Sequence, residues 1–153
     1  MEITDEIRQI CADLLARYKA AITDSGHIAS GNLASTASYK VEVSGKYIEL
    51  IFVLQDYWKY LENGTKPHFR PIDAIEKWII AKPIIPRAIS GRVPSTRQLA
   101  FSIARGISEH GTKATKLLQN TIDNSNDLID KIVDEIIKQL EKEIEKEIDK
   151  EEI

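Results

Sequence analysis

The sequence predicts an α+β domain in which a small antiparallel β-hairpin is packed by several helices and a long, charge-rich helix ends the chain. Apolar residues recur at spacings of three and four along most of the 153 residues, as is typical of helices that bury one face. Only residues 39–54 alternate with a period of two, which indicates two strands. An apolar fraction of 42% is sufficient for one core, so a fully disordered chain is excluded.

The first predicted element is an amphipathic helix near residues 4–23. Thr4 can cap its N-terminus, because a threonine hydroxyl accepts a hydrogen bond from the first turn of a helix. The polar stretch 24–26 would end it, and one short turn is predicted around residues 31–33. Cys11 lies on the apolar face and is therefore predicted to be a core residue. That face consists of Ile7, Ile10, Cys11, Leu14, Leu15, Tyr18 and Ile22.

Two strands follow, separated by a turn predicted at residues 44–46. The first strand alternates Tyr39, Val41 and Val43 with polar residues, which is the pattern of a half-buried edge strand. The second strand, residues 47–54, becomes apolar on both sides, and such a strand requires cover on both faces. Because an isolated two-stranded hairpin is marginal in water, either another segment of the chain or a neighbouring subunit should complete the sheet.

Residues 56–62 are predicted to form a short helix, and the Asn-Gly pair after it should end that helix. This segment places three aromatic residues within four positions. At helical spacing, Tyr57, Tyr60 and Leu61 are predicted to pack against the sheet. The alternative interpretation, a platform on which nucleic-acid bases stack, requires the same rings to be exposed on a strand.

Three further helical segments are predicted before the last helix. Pro71 suits the first position of one of them, and prolines and a glycine predict an irregular loop over residues 82–94. Ser95 or Thr96 caps the next helix, which ends at residues 110–111, and another piece covers residues 114–122. The expected inner faces are Ile72, Ile75, Trp78 and Ile79 in the first, and Leu99, Phe101, Ile103, Ala104 and Ile107 in the second.

The last helix changes in character along its length. Beyond Leu140 an apolar residue recurs every four positions among glutamates and lysines, so it drifts about 40° per step away from any single seam. We therefore predict a domain at residues 1–122 and a helix at 123–153 whose end projects or frays, with docking onto a partner as the alternative. The apolar face before this end is Ile129, Ile132, Val133, Ile136, Ile137 and Leu140.

The formal net charge of -3 conceals a separation of charge along the chain. Residues 77–108 contain six basic residues and no acidic residue, whereas residues 123–153 contain five lysines and twelve acidic residues. A total near zero therefore does not exclude a polyanionic partner, because the total does not describe where the charges lie.

The sequence contains few titratable residues at the spacing of a catalytic or metal site. His27, His68 and His110 form no His-x-x-x-His pair with a carboxylate. A single cysteine, Cys11, excludes an internal disulfide and a cysteine-rich metal site. The acidic, periodic first residues do not resemble a signal peptide, and no apolar run is long enough for a membrane span. We predict a non-enzymatic protein without a cofactor; a hydrolase built on His68 or His110 is the weakest alternative.

Five motifs occur in order over residues 28–122. They are Ser30-Gly31-Asn32-Leu33, Tyr57-Trp58-x-Tyr60-x-Glu62-x-Gly64-Thr65, Pro71-Ile72-x-x-Ile75-x-x-Trp78-Ile79, Ala100-Phe101-x-Ile103-Ala104 and Gly111-Thr112. In this order the chain resembles the small neck and tail-completion proteins of tailed bacteriophages, and it is most similar to the variant of crAss-like phages. The long helix containing Trp78, the proline-rich loop and the tail after residue 123 depart from the commoner pattern of that family.

The resemblance implies a structural virion protein that forms a homo-oligomeric ring at the head–tail connection. Such proteins lie below the portal, join the head to the tail and help to retain packaged DNA, and they are made in the host cytoplasm. The basic residues Lys82, Arg87, Arg92 and Arg97 would then contact DNA in the channel or an acidic neighbouring ring. The scaffold around them would be Tyr57, Trp58, Tyr60, Gly64, Thr65 and Trp78.

One alternative function comes from a different class of protein. The segment 77–108 carries only basic charge, and the helix near residues 95–109 lies within it. Clustered basic residues attract phosphate backbones regardless of sequence. The chain would then be a small nucleic-acid-binding or regulatory protein that contacts DNA through this helix.

Overall fold

The computed structural model describes residues 2–26, 31–44, 47–88 and 90–151 and confirms the α+β class. His27, Ser30 and residues 45–46 of the predicted hairpin turn lie outside the described residues. The elements are α1 (Asp5–Asp24), α2 (Asn32–Thr36), β1 (Ser38–Ser44), β2 (Tyr47–Val53), α3 (Trp58–Asn63), α4 (Ile72–Ala81), α5 (Thr96–His110), α6 (Leu117–Asp123) and α7 (Asn126–Glu151).

Helix α1 is the central element of the fold. The Thr4 hydroxyl accepts a hydrogen bond from the backbone N–H of Ile7 at 3.3 Å, which confirms the predicted cap. All seven residues of the predicted apolar face are buried, including Cys11. Two apolar clusters follow one another along this face. The first joins Ile10 and Leu14 to Leu50, Phe52, Leu128 and Ile132; the second joins Tyr18 and Ile22 to Leu33, Ala34, Leu54, Trp58, Leu61, Leu117 and Leu118.

The sheet has two antiparallel strands, with Ser38 opposite Val53 and Ser44 opposite Tyr47. Its inner face packs on α1, and the Tyr39 hydroxyl donates a hydrogen bond to the Arg8 carbonyl at 2.9 Å. The outer face of β2 presents three exposed apolar side chains, namely Tyr47, Ile51 and Val53. Among the described residues no third strand covers or extends this sheet.

Helices α4 and α5 form a helical hairpin with its own apolar cluster, in which Ile75 and Ile79 pack on Ala100 and Ala104. Ser95 caps α5 in a capping box with Gln98, as predicted. Two expectations for this hairpin were wrong. Phe101 is exposed because one residue in a helix turns the side chain by about 100° from the contact made by Ala100. Trp78 retains 37% of its accessible surface, since it lies at the margin of the cluster rather than within it.

Helix α7 runs antiparallel to α1. The Arg17 guanidinium donates two hydrogen bonds to the Asp127 carboxylate, at 2.7 and 2.6 Å, and these lower the pKa of Asp127. At the other end of α1, the Glu2 N–H donates to the Gln139 side-chain oxygen at 2.9 Å. Because α1 covers only one side of α7, part of the predicted apolar face is exposed, namely Val133, Ile137 and Leu140.

The core of the predicted 1–122 unit extends into α7, because Leu128 is buried beside Ile10 and Leu14. Sequence periodicity did not single out Leu128. Residues 141–149 are all exposed, so this end of α7 projects beyond the rest of the described chain.

A short antiparallel bridge closes the base of the α4–α5 hairpin, where it joins the rest of the fold. Thr65 and Thr112 exchange backbone N–H···O=C hydrogen bonds of 3.0 and 3.1 Å, and their hydroxyl oxygens lie 2.9 Å apart. The residues before them, Gly64 and Gly111, have φ of +69° and +71°. A Cβ on Gly64 would collide with the Thr112 carbonyl, and one on Gly111 with the Thr65 carbonyl. The bridge therefore requires glycine at both positions, for backbone conformation and for space.

We expect Gly64→Ala and Gly111→Ala each to lower the free energy of unfolding by at least about 3 kcal/mol, because each combines left-handed strain with a backbone collision. Gly91→Ala is the matched control: φ at Gly91 is +77°, but no atom of the described residues lies within 4 Å of an added Cβ. The control should lose only about 1–2 kcal/mol from left-handed strain. Urea unfolding measures all three, and losses equal to the control would show that the close approach at the bridge is not required.

Candidate functional site

The bridge belongs to a larger junction formed by residues 61–65 and 111–119. The N–H groups of Thr115 and Lys116 donate to the carbonyls of Leu61 and Glu62 at 3.0 and 3.2 Å. The Thr115 hydroxyl adds a hydrogen bond of 2.7 Å to the Leu61 carbonyl. Carbonyls in the last turn of a helix have no partner within that helix. The junction therefore satisfies the C-terminal end of α3 with backbone from the segment that leads into α6.

The Glu62 side chain satisfies the opposite helix end. Its carboxylate accepts hydrogen bonds from the N–H groups of Leu118 and Gln119, at 2.9 and 3.0 Å, in the first turn of α6. Lys116 occupies the N-cap position of that helix with φ of 54° and forms no side-chain cap. Glu62 is buried although it is charged, and a carboxylate at a helix N-terminus also interacts favourably with the helix dipole. Local sequence did not reveal this role, because the helix that Glu62 caps lies more than fifty residues later.

A groove of about 800 Å³ lies beside the junction, between α3, α4 and the end of α1. Its walls carry the aromatic rings of Tyr57, Tyr60 and Trp78 together with the cationic side chains of Arg70 and Lys113. The remaining lining residues are apolar or uncharged: Ile22, Gly31, Leu33, Ala34, Leu61, Thr65, Thr112, Ala114 and Thr115. No carboxylate occurs among these lining residues, so the groove combines an apolar surface with positive charge.

The expectation that Tyr57 and Tyr60 pack against the sheet was wrong, since the two side chains are 43% and 52% exposed. Trp58 and Leu61 occupy the core instead, where they pack with Tyr18 and Ile22 of α1. A shift of one residue in a helix moves a side chain by about 100°. The same short helix can therefore place Trp58 and Leu61 inward and both tyrosines in the groove.

The four predicted basic contact residues lie in different environments. The Lys82 ammonium lies 5.3 Å from the centroid of the Trp78 ring, in a cation–π contact. Arg97 lies in the first turn of α5 rather than in the loop, where it pairs with Asp73 at 2.9 Å and Glu76 at 3.1 Å. Arg87 and Arg92 are exposed on the loop. Of these four residues, Arg87 and Arg92 are therefore the most available to a partner.

The segment without acidic residues is thus partly neutralised in three dimensions. Besides the pairs of Arg97, the Arg105 guanidinium donates to Glu109 at 2.8 Å, which lowers the pKa of Glu109. Counting charges along residues 77–108 did not reveal these ion pairs. Asp73 and Glu76 lie in α4 before that segment, and Glu109 lies just after it.

His68 takes part in two local contacts. Arg70 Nε donates to His68 Nε2 at 2.9 Å, and His68 Nδ1 lies 2.8 Å from the Lys66 carbonyl. Within the described ranges no three His, Cys, Asp or Glu side chains come together as metal ligands would. The described helices include none that is long and apolar enough to cross a bilayer.

Comparison of the chain with family models, with curated proteins and with solved structures finds no match. The candidate site is therefore defined by its own geometry. An open groove with aromatic walls and cationic side chains favours a partner that offers apolar side chains flanked by carboxylates.

We expect Glu62→Gln to lower the free energy of unfolding by about 1–3 kcal/mol, because the amide offers only one acceptor oxygen to the two N–H groups of α6. Glu145→Gln, on the exposed end of α7, is the control and should change stability by less than about 0.5 kcal/mol. Chemical denaturation measures both variants. A cost for Glu62→Gln as small as that of the control would contradict the capping role.

Proposed function

We propose that this chain is a structural, non-enzymatic virion protein that forms a homo-oligomeric ring in the neck of a tailed bacteriophage. In this role it joins the portal–head assembly to the tail and helps to retain packaged DNA. The observation that carries the proposal is the incomplete sheet. Tyr47, Ile51 and Val53 are exposed on the outer face of β2, and in the described chain β2 pairs with β1 alone.

An open strand edge beside an apolar face favours association with another chain. The sheet can be completed by another segment of the same chain or by a neighbouring subunit. No other described segment pairs with it, so the neighbouring subunit is the remaining choice. Closed rings are a common way for identical subunits to satisfy such surfaces. A ring is also the assembly implied by the resemblance to neck and tail-completion proteins.

The ordered motifs support the proposal through their positions in the fold. Gly64 and Thr65 of the aromatic motif meet the Gly111-Thr112 motif at the junction, although the two motifs lie almost fifty residues apart. Trp58 packs in the core, whereas Tyr57, Tyr60 and Trp78 form the wall of the groove. Two of the five motifs therefore build one junction. This is expected if the motifs specify a scaffold that the chain shares with the family it resembles.

The basic loop suits a position against a charged neighbour in a stack of rings. Arg87 and Arg92 are exposed and form no ion pair with any residue of the described part. In the proposed ring they face packaged DNA or an acidic adjacent ring. Attraction to DNA phosphates is independent of base sequence, and retention of packaged DNA needs no sequence recognition.

The ring proposal is tested with particles and with the purified protein. We expect the chain to copurify with intact virions at a fixed copy number and to appear as a closed ring in electron micrographs. Antibody or tag labelling should place that ring between head and tail. A chain that stays monomeric and is absent from purified virions would contradict the proposal.

The second candidate function is nucleic-acid binding, and the exposed Arg87 and Arg92 are the observation that favours it. Duplex binding through these residues should weaken steeply as salt rises, because phosphate contacts release counterions. We expect Arg87→Ala/Arg92→Ala to abolish duplex binding in fluorescence anisotropy at low salt. Arg97→Ala/Arg105→Ala is the matched control and should reduce binding less, because both arginines are already paired with carboxylates. Undetectable binding by the unmodified chain at low salt would eliminate this candidate.

A further inference from the structure

The projecting end of α7, residues 140–149, forms an acidic arm with an uncovered apolar stripe. Leu140, Ile144 and Ile148 are 41–56% exposed, and the stripe continues back to Val133 and Ile137. At 100° per residue, Glu141 and Glu147 flank the stripe on its two sides, whereas Lys142 and Lys146 lie on the opposite side of the helix. The stripe therefore presents apolar side chains bordered by negative charge.

The groove has the complementary character. Tyr57, Tyr60 and Trp78 supply its aromatic wall, and Arg70 and Lys113 supply positive charge without a carboxylate among the lining residues. Two arms packed against each other would instead place glutamates beside glutamates, since both borders of the stripe are acidic. Charge complementarity thus favours the groove over a second arm as the partner of the stripe.

The arm and the groove lie at opposite ends of α1. Arg17 holds the start of α7, and Glu2 contacts Gln139 near the other end, so α7 beyond Gln139 continues past the N-terminal end of α1. The groove is lined by Ile22, near the C-terminal end of α1. Residues 5 and 22 of α1 are separated by about 25 Å along a helix of 1.5 Å rise per residue. The arm extends only about 15 Å and points away from the groove of its own chain.

We propose that the arm of one copy docks its apolar stripe into the groove of a second copy. The contact uses two different surfaces, so it joins copies head to tail and leaves one arm and one groove available at the ends of any open chain of subunits. Such heterologous contacts produce a closed ring when the rotation between copies closes. This inference rests on the proposed ring and identifies the contact on which its assembly depends, so that the open edge of β2 pairs with a neighbouring subunit only once the arm has docked.

The test mixes two full-length variants that each lack one half of the contact. The arm variant is Ile144→Gln/Ile148→Gln, and the groove variant is Arg70→Glu/Lys113→Glu. In sedimentation velocity we expect the unmodified chain to form species larger than dimers and each variant alone to sediment as a monomer. An equimolar mixture should give a one-to-one dimer and nothing larger, because only one intact arm and one intact groove remain to pair. Misfolded variants would not form that dimer.

Two controls establish specificity. Arg87→Glu/Arg92→Glu makes the same change of charge outside the groove and should assemble as the unmodified chain does. Adding Glu141→Lys/Glu147→Lys to the groove variant restores opposite charges across the contact, so it should recover assembly.

Three outcomes would overturn the inference. Variants that assemble normally would place the contact elsewhere, such as the open edge of β2, and would leave the ring proposal intact. Loss of assembly in the arm variant alone would show that arms pair with arms. An unmodified chain that stays monomeric at all concentrations would exclude the contact, and the presence or absence of the chain in virions would then decide the proposed function separately.

Discussion

The fold depends on mutual satisfaction of backbone hydrogen-bonding groups at one junction. Carbonyls at the end of α3 accept from the segment before α6, and the Glu62 carboxylate accepts from the first turn of α6. Beside them, the Thr65–Thr112 bridge closes the base of the α4–α5 hairpin. Because buried backbone groups without partners are costly, these contacts fix where the hairpin leaves the body and where it returns.

The same junction creates the groove. With both ends of the hairpin fixed at the bridge, Trp78 of α4 lines the same groove as Tyr60 of α3 and Tyr57, which precedes that helix. The helix α1 then separates this groove from the arm at the far end of α7. A single rigid helix thus connects one basic, aromatic surface with one acidic, apolar surface. The net charge is close to zero because the basic groove and the acidic arm, which lie apart in the molecule, largely cancel in the sum.

Local patterns predicted the elements well and their surroundings less well. The cap at Thr4, the capping box at Ser95 and the inner face of α1 follow from residues within a few positions of each other, and all are confirmed. Tyr57, Tyr60, Phe101 and Val133 were assigned to packed faces but are exposed. Periodicity identifies an apolar face, whereas burial also requires a neighbour broad enough to cover it, and α3 and α7 each have cover on one side only.

The sequence by itself determined the types and approximate limits of the helices and strands, because caps, breakers and periodicity act over one or two turns. Only the tertiary structure decided which charges remain available and which residues share a site. Arg97 is paired because Asp73 and Glu76 lie on the adjacent helix. The groove unites Tyr57, Arg70, Trp78 and Lys113 because glycines at 64 and 111 permit a backbone approach that no other residue allows. Contacts between segments so distant in sequence leave no local pattern, so only the packed chain reveals them.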